Sequence, residues 1–172
     1  MNRTITLLFL FFVSCSAPTI TANYDESVNF KLFQTYSFVT YENISKPVRT
    51  DYNNPENREL VSNAISEQLT SLGYTLAENK ADLSVVFDII ITEMVDPRVD
   101  SAVIYKPWVD TKIDSFNYTE GLLVVRLIDA EHGKMVWQGS LSGILNKDAD
   151  KFGKNMDVYI RKLFSSLATR MQ

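Results

Sequence analysis

The chain of 172 residues holds a single cysteine and a single histidine, and those two scarcities remove whole classes of chemistry. With Cys15 alone, no disulfide closes within the chain, so a folded region must draw its stability from core burial. A zinc site gathers several ligands from cysteine and histidine, and a nucleophilic relay needs an imidazole beside its nucleophile. His132 is the one imidazole, and it lies between Glu131 and Gly133 in what reads as a tight turn, the place of a solvated residue. The six glycines are scattered and form no phosphate-cradling cluster. Lysine and arginine number 17 against 21 acidic residues, and a net charge of -4 lacks the cationic footprint that holds nucleic acid. The sequence therefore predicts no metal, no cofactor and no nucleic-acid partner.

What is present begins at the amino terminus. After Arg3, the stretch Ile5 to Val13 is almost wholly apolar and ends at Ser14-Cys15. Nine residues at about 1.5 Å each reach less than half of a hydrocarbon core of about 30 Å, so this is the apolar region of an export signal and not a span. Phe12-Val13-Ser14-Cys15 resembles the lipobox of bacterial lipoproteins, with Phe12 in a place more often taken by Leu. The resemblance implies that residues 1–14 are removed, that Cys15 becomes the first residue and carries a diacylglyceryl group on its sulfur, and that acyl chains hold the protein to a membrane. Cleavage after Ala17 or Ala22, discarding Cys15, is the competing reading. Ser16 rather than Asp beside the cysteine points to the outer membrane, facing the periplasm. Residues 15–23 read as the lipidated cysteine and a flexible tether, and 24–172 as one globular domain.

Within that domain the periodicity changes along the chain. Thr35 to Tyr41 alternates as a half-buried strand, and Glu42 to Asn54, broken by Pro47, reads as a loop. Asn54-Pro55 offers an N-cap followed by proline at the first helical position; Leu60, Val61, Ala64, Ile65, Leu69 and Leu72 then form an apolar stripe, and Gly73 supplies a left-handed stop. Leu83 to Met94, with Asp88 inside it, is β-branched and sharply bounded, and predicts a second strand. Thr119 to Asp129 and Lys134 to Ile144 form a hairpin whose turn uses Gly133 at positive φ. Asp150 to Met171 closes the chain as an amphipathic helix. In Met135, Trp137, Gly139 and Leu141 the alternation places Trp137 on the core face of its strand. The expected fold is α+β, a two-layer sandwich with a mixed four-stranded sheet in the order β-α-β-β-β-α and both helices on one face.

Tyr24-Asp25, Thr35-Tyr36-Ser37-Phe38, Ala81-Asp82-Leu83, Gly121-Leu122-Leu123-Val124-Val125, Asp129-Ala130 and Val136-Trp137-Gln138-Gly139 together resemble the bacterial lipoprotein domain called domain of unknown function family 4136. The resemblance covers roughly residues 24–167 and implies an anchored domain of this fold, with no activity attached. Between Val95 and Tyr118 the family pattern is absent.

That same stretch is long for a loop in a compact domain, and loops of this length often bind. Tyr105, Trp108 and Phe116 are the candidate contacts for another envelope protein; the alternative is that they bury themselves in an extra hairpin. Asp96, Asp100, Asp110 and Asp114 recur there without the spacing of a calcium loop. No catalytic residue is assigned. The functional expectation is a membrane-anchored cell-envelope lipoprotein acting as a non-catalytic binding or structural module, and the alternative is an envelope hydrolase with a carboxylate site that the sequence does not reveal.

Overall fold

The computed structural model describes residues 18–39, 51–78, 80–97, 115–145, 152–153 and 155–171. It is an α+β fold of two helices and a mixed sheet: β1 (Thr19–Tyr24), β2 (Thr35–Phe38), α1 (Pro55–Ser71), β3 (Thr75–Leu76), β4 (Leu83–Pro97), β5 (Ser115–Asp129), β6 (Lys134–Leu145) and α2 (Met156–Arg170). The strands lie in the order β1-β6-β5-β4-β2-β3. The sheet thus has six strands where four were expected. One extra strand, β1, falls on residues read as tether: Thr19 to Asn23 pair antiparallel with Ser142 to Gln138. The other, β3, is two residues long, too short to leave any alternation in sequence.

Helix α1 forms where its signals stand. The Asn54 side chain accepts from the Asn57 amide at 2.8 Å, Pro55 occupies the first turn, and Val61, Ala64, Ile65 and Leu69 are buried at helical spacing. At the other end Gly73 takes φ +93°, while the amides of Gly73 and Tyr74 return to the carbonyls of Thr70 and Leu69. Those two bonds satisfy carbonyls that the helix leaves open. Parallel neighbours need a crossover, and α1 carries the chain from β2 to β3 and β4, both parallel to β2. Helix α2 opens at Met156 after Asn155 in a left-handed conformation, φ 71°, with no side-chain cap.

The remaining ladders are antiparallel. β4 and β5 pair over their whole length from Leu83↔Asp129 to Pro97↔Ser115, and β5 pairs β6 from Thr119↔Leu145 to Asp129↔Lys134. One core cluster joins Val61, Ile65 and Leu69 of α1, Ile160, Leu163, Phe164 and Leu167 of α2, and alternate residues of the strands: Leu83, Val85 and Ile89; Leu123, Val125 and Leu127; Trp137 and Leu141. Ile20, Ala22 and Tyr24 of β1 pack on its edge.

The alternation in β6 breaks at one point. Leu127 faces Trp137 but Ile128 faces Met135, so Val136 is an extra residue in a β-bulge. Val136 and Trp137 consequently both enter the core, while Met135, placed by simple alternation on the core face, is 48% exposed. Trp137 is fully buried, its ring 4.9 Å from that of Phe164, and its indole N–H donates to Ser166 Oγ at 3.4 Å.

Candidate functional site

Strand side chains alternate between faces, so the residues that miss the core form a second face on β4, β5, β6 and β1. Its centre is charged. Arg126 Nη1 donates to Asp88 Oδ2 at 2.7 Å, and Arg126 Nε donates to Gln138 Oε1 at 3.3 Å. Arg126 stands opposite Val86, and Asp88 opposite Val124. Both valines are buried yet lie outside the helix-side core cluster. An arginine lays its aliphatic stem along apolar surface and keeps its head group wet, which is how an ion pair and two buried valines share one patch of sheet.

Around this centre the face divides. Toward β1 it is uncharged and polar: Thr21 and Ser140 share a hydrogen bond of 2.6 Å, Thr19 pairs with Ser142, and Asn23 with Gln138. Along β4 and β5 it becomes mixed, with Ile90 opposite Leu122, Thr92 opposite Glu120 and Met94 opposite Tyr118; Ile90 is 45% exposed and Met94 37%. A broad surface of this kind offers donors, acceptors, one ion pair and a mixed margin.

A second feature is concave. A groove of about 490 Å³ runs along α1 beside the start of α2, and Glu56, Glu59, Glu67 and Asp157 line it. All four carboxylates are exposed.

Three other carboxylates are held by the fold at one end of the sheet. Lys134 pairs with Asp25 just past β1, and with Ser27 it holds that carboxyl well below its ordinary value. Asp82 accepts from the amides of Gln34 and Thr35 at 2.8 and 2.9 Å and from the Thr35 hydroxyl, and these bonds hold its carboxyl below the usual range. Asp129 bonds the His132 ring at 2.8 Å and the amides of Glu131 and His132, which lowers the carboxyl and raises the imidazole. His132 is thus the solvated turn residue that its neighbours implied, and Gly133 takes φ +63° as expected of the turn.

Of the residues singled out from sequence, Cys15, Tyr105 and Trp108 lie outside the described residues, as do Asp100, Asp110 and Asp114. Phe116 falls in β5 opposite Asp96, and Val95 to Pro97 belong to β4, so the stretch read as a loop begins and ends as paired strand. Among the described residues no group of three or more His, Cys, Asp or Glu is placed to hold a metal, and no helix is long and apolar enough to cross a membrane. Sequence reasoning missed Arg126 and Gln138. The available signal was Asp88, a charge inside a β-branched run that needs a partner on a neighbouring strand.

The chain folds as a small α+β domain whose sheet carries an ion pair and polar groups on the residues that miss the core. The chain belongs to the family described as Domain of unknown function (DUF4136), whose model matches residues 20–167. A DUF4136 family protein from Bacteroides thetaiotaomicron is similar at 19% identity, with 92% of this chain and 99% of that one covered and a TM-score of 0.59. A PDZ domain protein from Parabacteroides distasonis is similar at 15% identity and a TM-score of 0.57; the match covers 88% of this chain but 37% of that protein. A PelC dodecamer from Paraburkholderia phytofirmans follows at 14% identity, 87% and 96% coverage, and a TM-score of 0.50. At such identities the likeness is one of fold. No curated protein matches the sequence.

Proposed function

We propose that this protein is a lipid-anchored module of the bacterial cell envelope that binds a partner through the second face of its sheet and turns over no substrate. The observation that carries the reading is that face itself: the Asp88–Arg126–Gln138 centre flanked by exposed Ile90 and Met94. A single core cluster shared by both helices and one set of strand positions supports a two-layer sandwich, helices on one side and recognition on the other. The lipobox at Phe12 to Cys15 supports removal of residues 1–14 and acylation of Cys15, with the domain on the periplasmic side of the outer membrane. Tyr105 and Trp108, from the chain joining β4 to β5, and Phe116, at the start of β5, are proposed to add to the contact.

Intact-mass measurement of the membrane-fraction protein, with crosslinking in intact cells, tests both halves of the proposal. The expected product begins at Cys15 with the mass of a diacylglyceryl group, and it crosslinks to a discrete neighbour. Replacing Ile90 by Asp or Trp108 by Ala is expected to remove that neighbour with little change in thermal stability. A chain starting after Cys15 with unmodified mass overturns the anchor. A crosslink unchanged in Ile90→Asp overturns the surface. The carboxylates of the α1 groove are too exposed for the hydrolase alternative to draw support from them.

A further inference from the structure

The end at which β1 enters the sheet fixes how an anchored domain meets its membrane. Thr19 pairs with Ser142, and Pro18 just before it lies beside Gly143, where a built Cβ would come 3.2 Å from Pro18 Cβ. Gly143 pairs with Gly121 and Gly121 with Ile91, so Pro18, Gly143, Gly121 and Ile91 form one row across the sheet. From that row β4 and β5 run on together, through Thr92 to Pro97 and Ser115 to Glu120. At about 3.3 Å per residue they make an arm of about 20 Å. Among the described residues β6 accompanies the arm only as far as Leu145, opposite Thr119, and the ladder between β2 and β4 ends at Val85. The covalent chain from Pro18 back to Cys15 is short by comparison, with a reach of about 11 Å at full extension.

We infer that the β4–β5 arm lies against the bilayer, with a phospholipid surface as the partner of this end of the sheet. The two lengths select this occupant. Acylation of Cys15 holds Pro18 within about 11 Å of the headgroups, and an arm that leaves the same row and reaches about twice as far meets them. This orientation rests on the acylation proposed above. The twist of the sheet swings the arm away from the line of β1, which lays it along the surface and not straight into hydrocarbon. Among the described side chains of the arm none is cationic: Thr92, Glu93 and Met94 are exposed, and Tyr118, Thr119 and Glu120 are half-buried. Attraction to anionic lipid is therefore not the source of the contact, and zwitterionic headgroups are its match. Met94 supplies an apolar side chain, and Tyr118 opposite it is of the type that collects at headgroup level. The far end of the sheet, with Asp25, Asp82, Asp129, His132 and Lys134, then faces water. Asp88 stands on the far side of the row from the arm, about 10 Å along β4 from Ile91, which keeps the Asp88–Arg126–Gln138 centre clear of the headgroups.

Fluorescence quenching by lipid tests it on the full acylated chain, purified from membranes and reconstituted in phosphatidylcholine vesicles. With the Cys15 sulfur blocked by its acyl group, Met94→Cys offers a single thiol for an environment-sensitive fluorophore, and Glu131→Cys in the distant turn offers another. Lipid carrying a nitroxide on its headgroup is expected to quench the label at position 94, whose emission shifts to the blue on reconstitution, and to leave the label at position 131 at its detergent level. Thr92→Cys, nearer the row, should be quenched less than Met94→Cys, and it supplies the reading if Met94→Cys folds poorly. A chain that carries the acyl mass and floats with the vesicles, yet shows no quenching on the arm or equal quenching at 94 and 131, overturns the orientation and leaves the anchor standing. A chain that lacks the acyl mass and does not float overturns both.

Discussion

At Gly139 a missing side chain decides how the core closes. A Cβ built there would lie 2.5 Å from Trp137 Cη2 and 2.7 Å from Leu163 Cδ1, so the indole and the leucine of α2 occupy the space that any other residue would take. Trp137 in turn stacks against Phe164 and reaches Ser166, which makes this glycine the seat on which α2 meets β6. Gly139→Ala is expected to destabilise the protein by about 1–3 kcal/mol through overpacking, measured by urea unfolding. A variant as stable as the parent would mean that the indole has another place to go. The need for small size at this position is invisible along the chain, because the two groups that impose it lie two and 24 residues away and are brought together only by packing.

Among the elements, β6 shows most clearly where a pattern in sequence misleads. Strict alternation put Met135 with Trp137, Gly139 and Leu141, whereas the bulge at Val136 turns Met135 outward and sends Val136 into the core. Met135→Lys should therefore change stability by no more than about 0.5 kcal/mol, while Val136→Ala should cost about 2 kcal/mol, mostly from lost burial. An unbulged strand would reverse that order, so the pair of chemical denaturation curves decides the matter. The elements with strong local signals were legible: Asn54-Pro55 and Gly73 bound α1, and Gly133 turns the β5–β6 hairpin. β1 was not read as a strand: its alternation of Ile20, Ala22 and Tyr24 with Thr19, Thr21 and Asn23 is short and built on small residues, its apolar side chains are only partly buried at the edge of the core, and pairing with β6 is what fixes it as a strand. Asp88 could be noticed within β4, but its partners Arg126 and Gln138 were set by strand register.

On the scale of the whole molecule, three carboxylates fasten one end of the sheet: Asp25 joins β1 to β6, Asp82 joins the start of β4 to the start of β2, and Asp129 organises the β5–β6 turn. Each is held below its ordinary value, so its contribution is present above the unfolded pKa of about 3.9 and is lost as pH falls through the lower folded value. His132, raised by Asp129, has the opposite sign: its contribution is complete below about 6.5 and is lost as pH rises through the raised value. The fold should therefore weaken in acid from this end. The stability gap between the parent and Asp82→Asn, clear near neutral pH, should close as the pH is taken below about 4. A gap that stays constant with pH would show that the Asp82 contacts act by shape and not by charge.

By itself the sequence determined the α+β class, helix α1, the β5–β6 hairpin, the lack of any intrachain disulfide and the likeness to its family, since these follow from local periodicity, turn chemistry and residue counts. Tertiary structure alone decided that the sheet has six strands, that Val136 and not Met135 enters the core, and that Asp88, Arg126 and Gln138 meet on one face. Those outcomes depend on which strand lies beside which and in what register, and the free energy that selects a register comes from side chains distant in sequence burying one another.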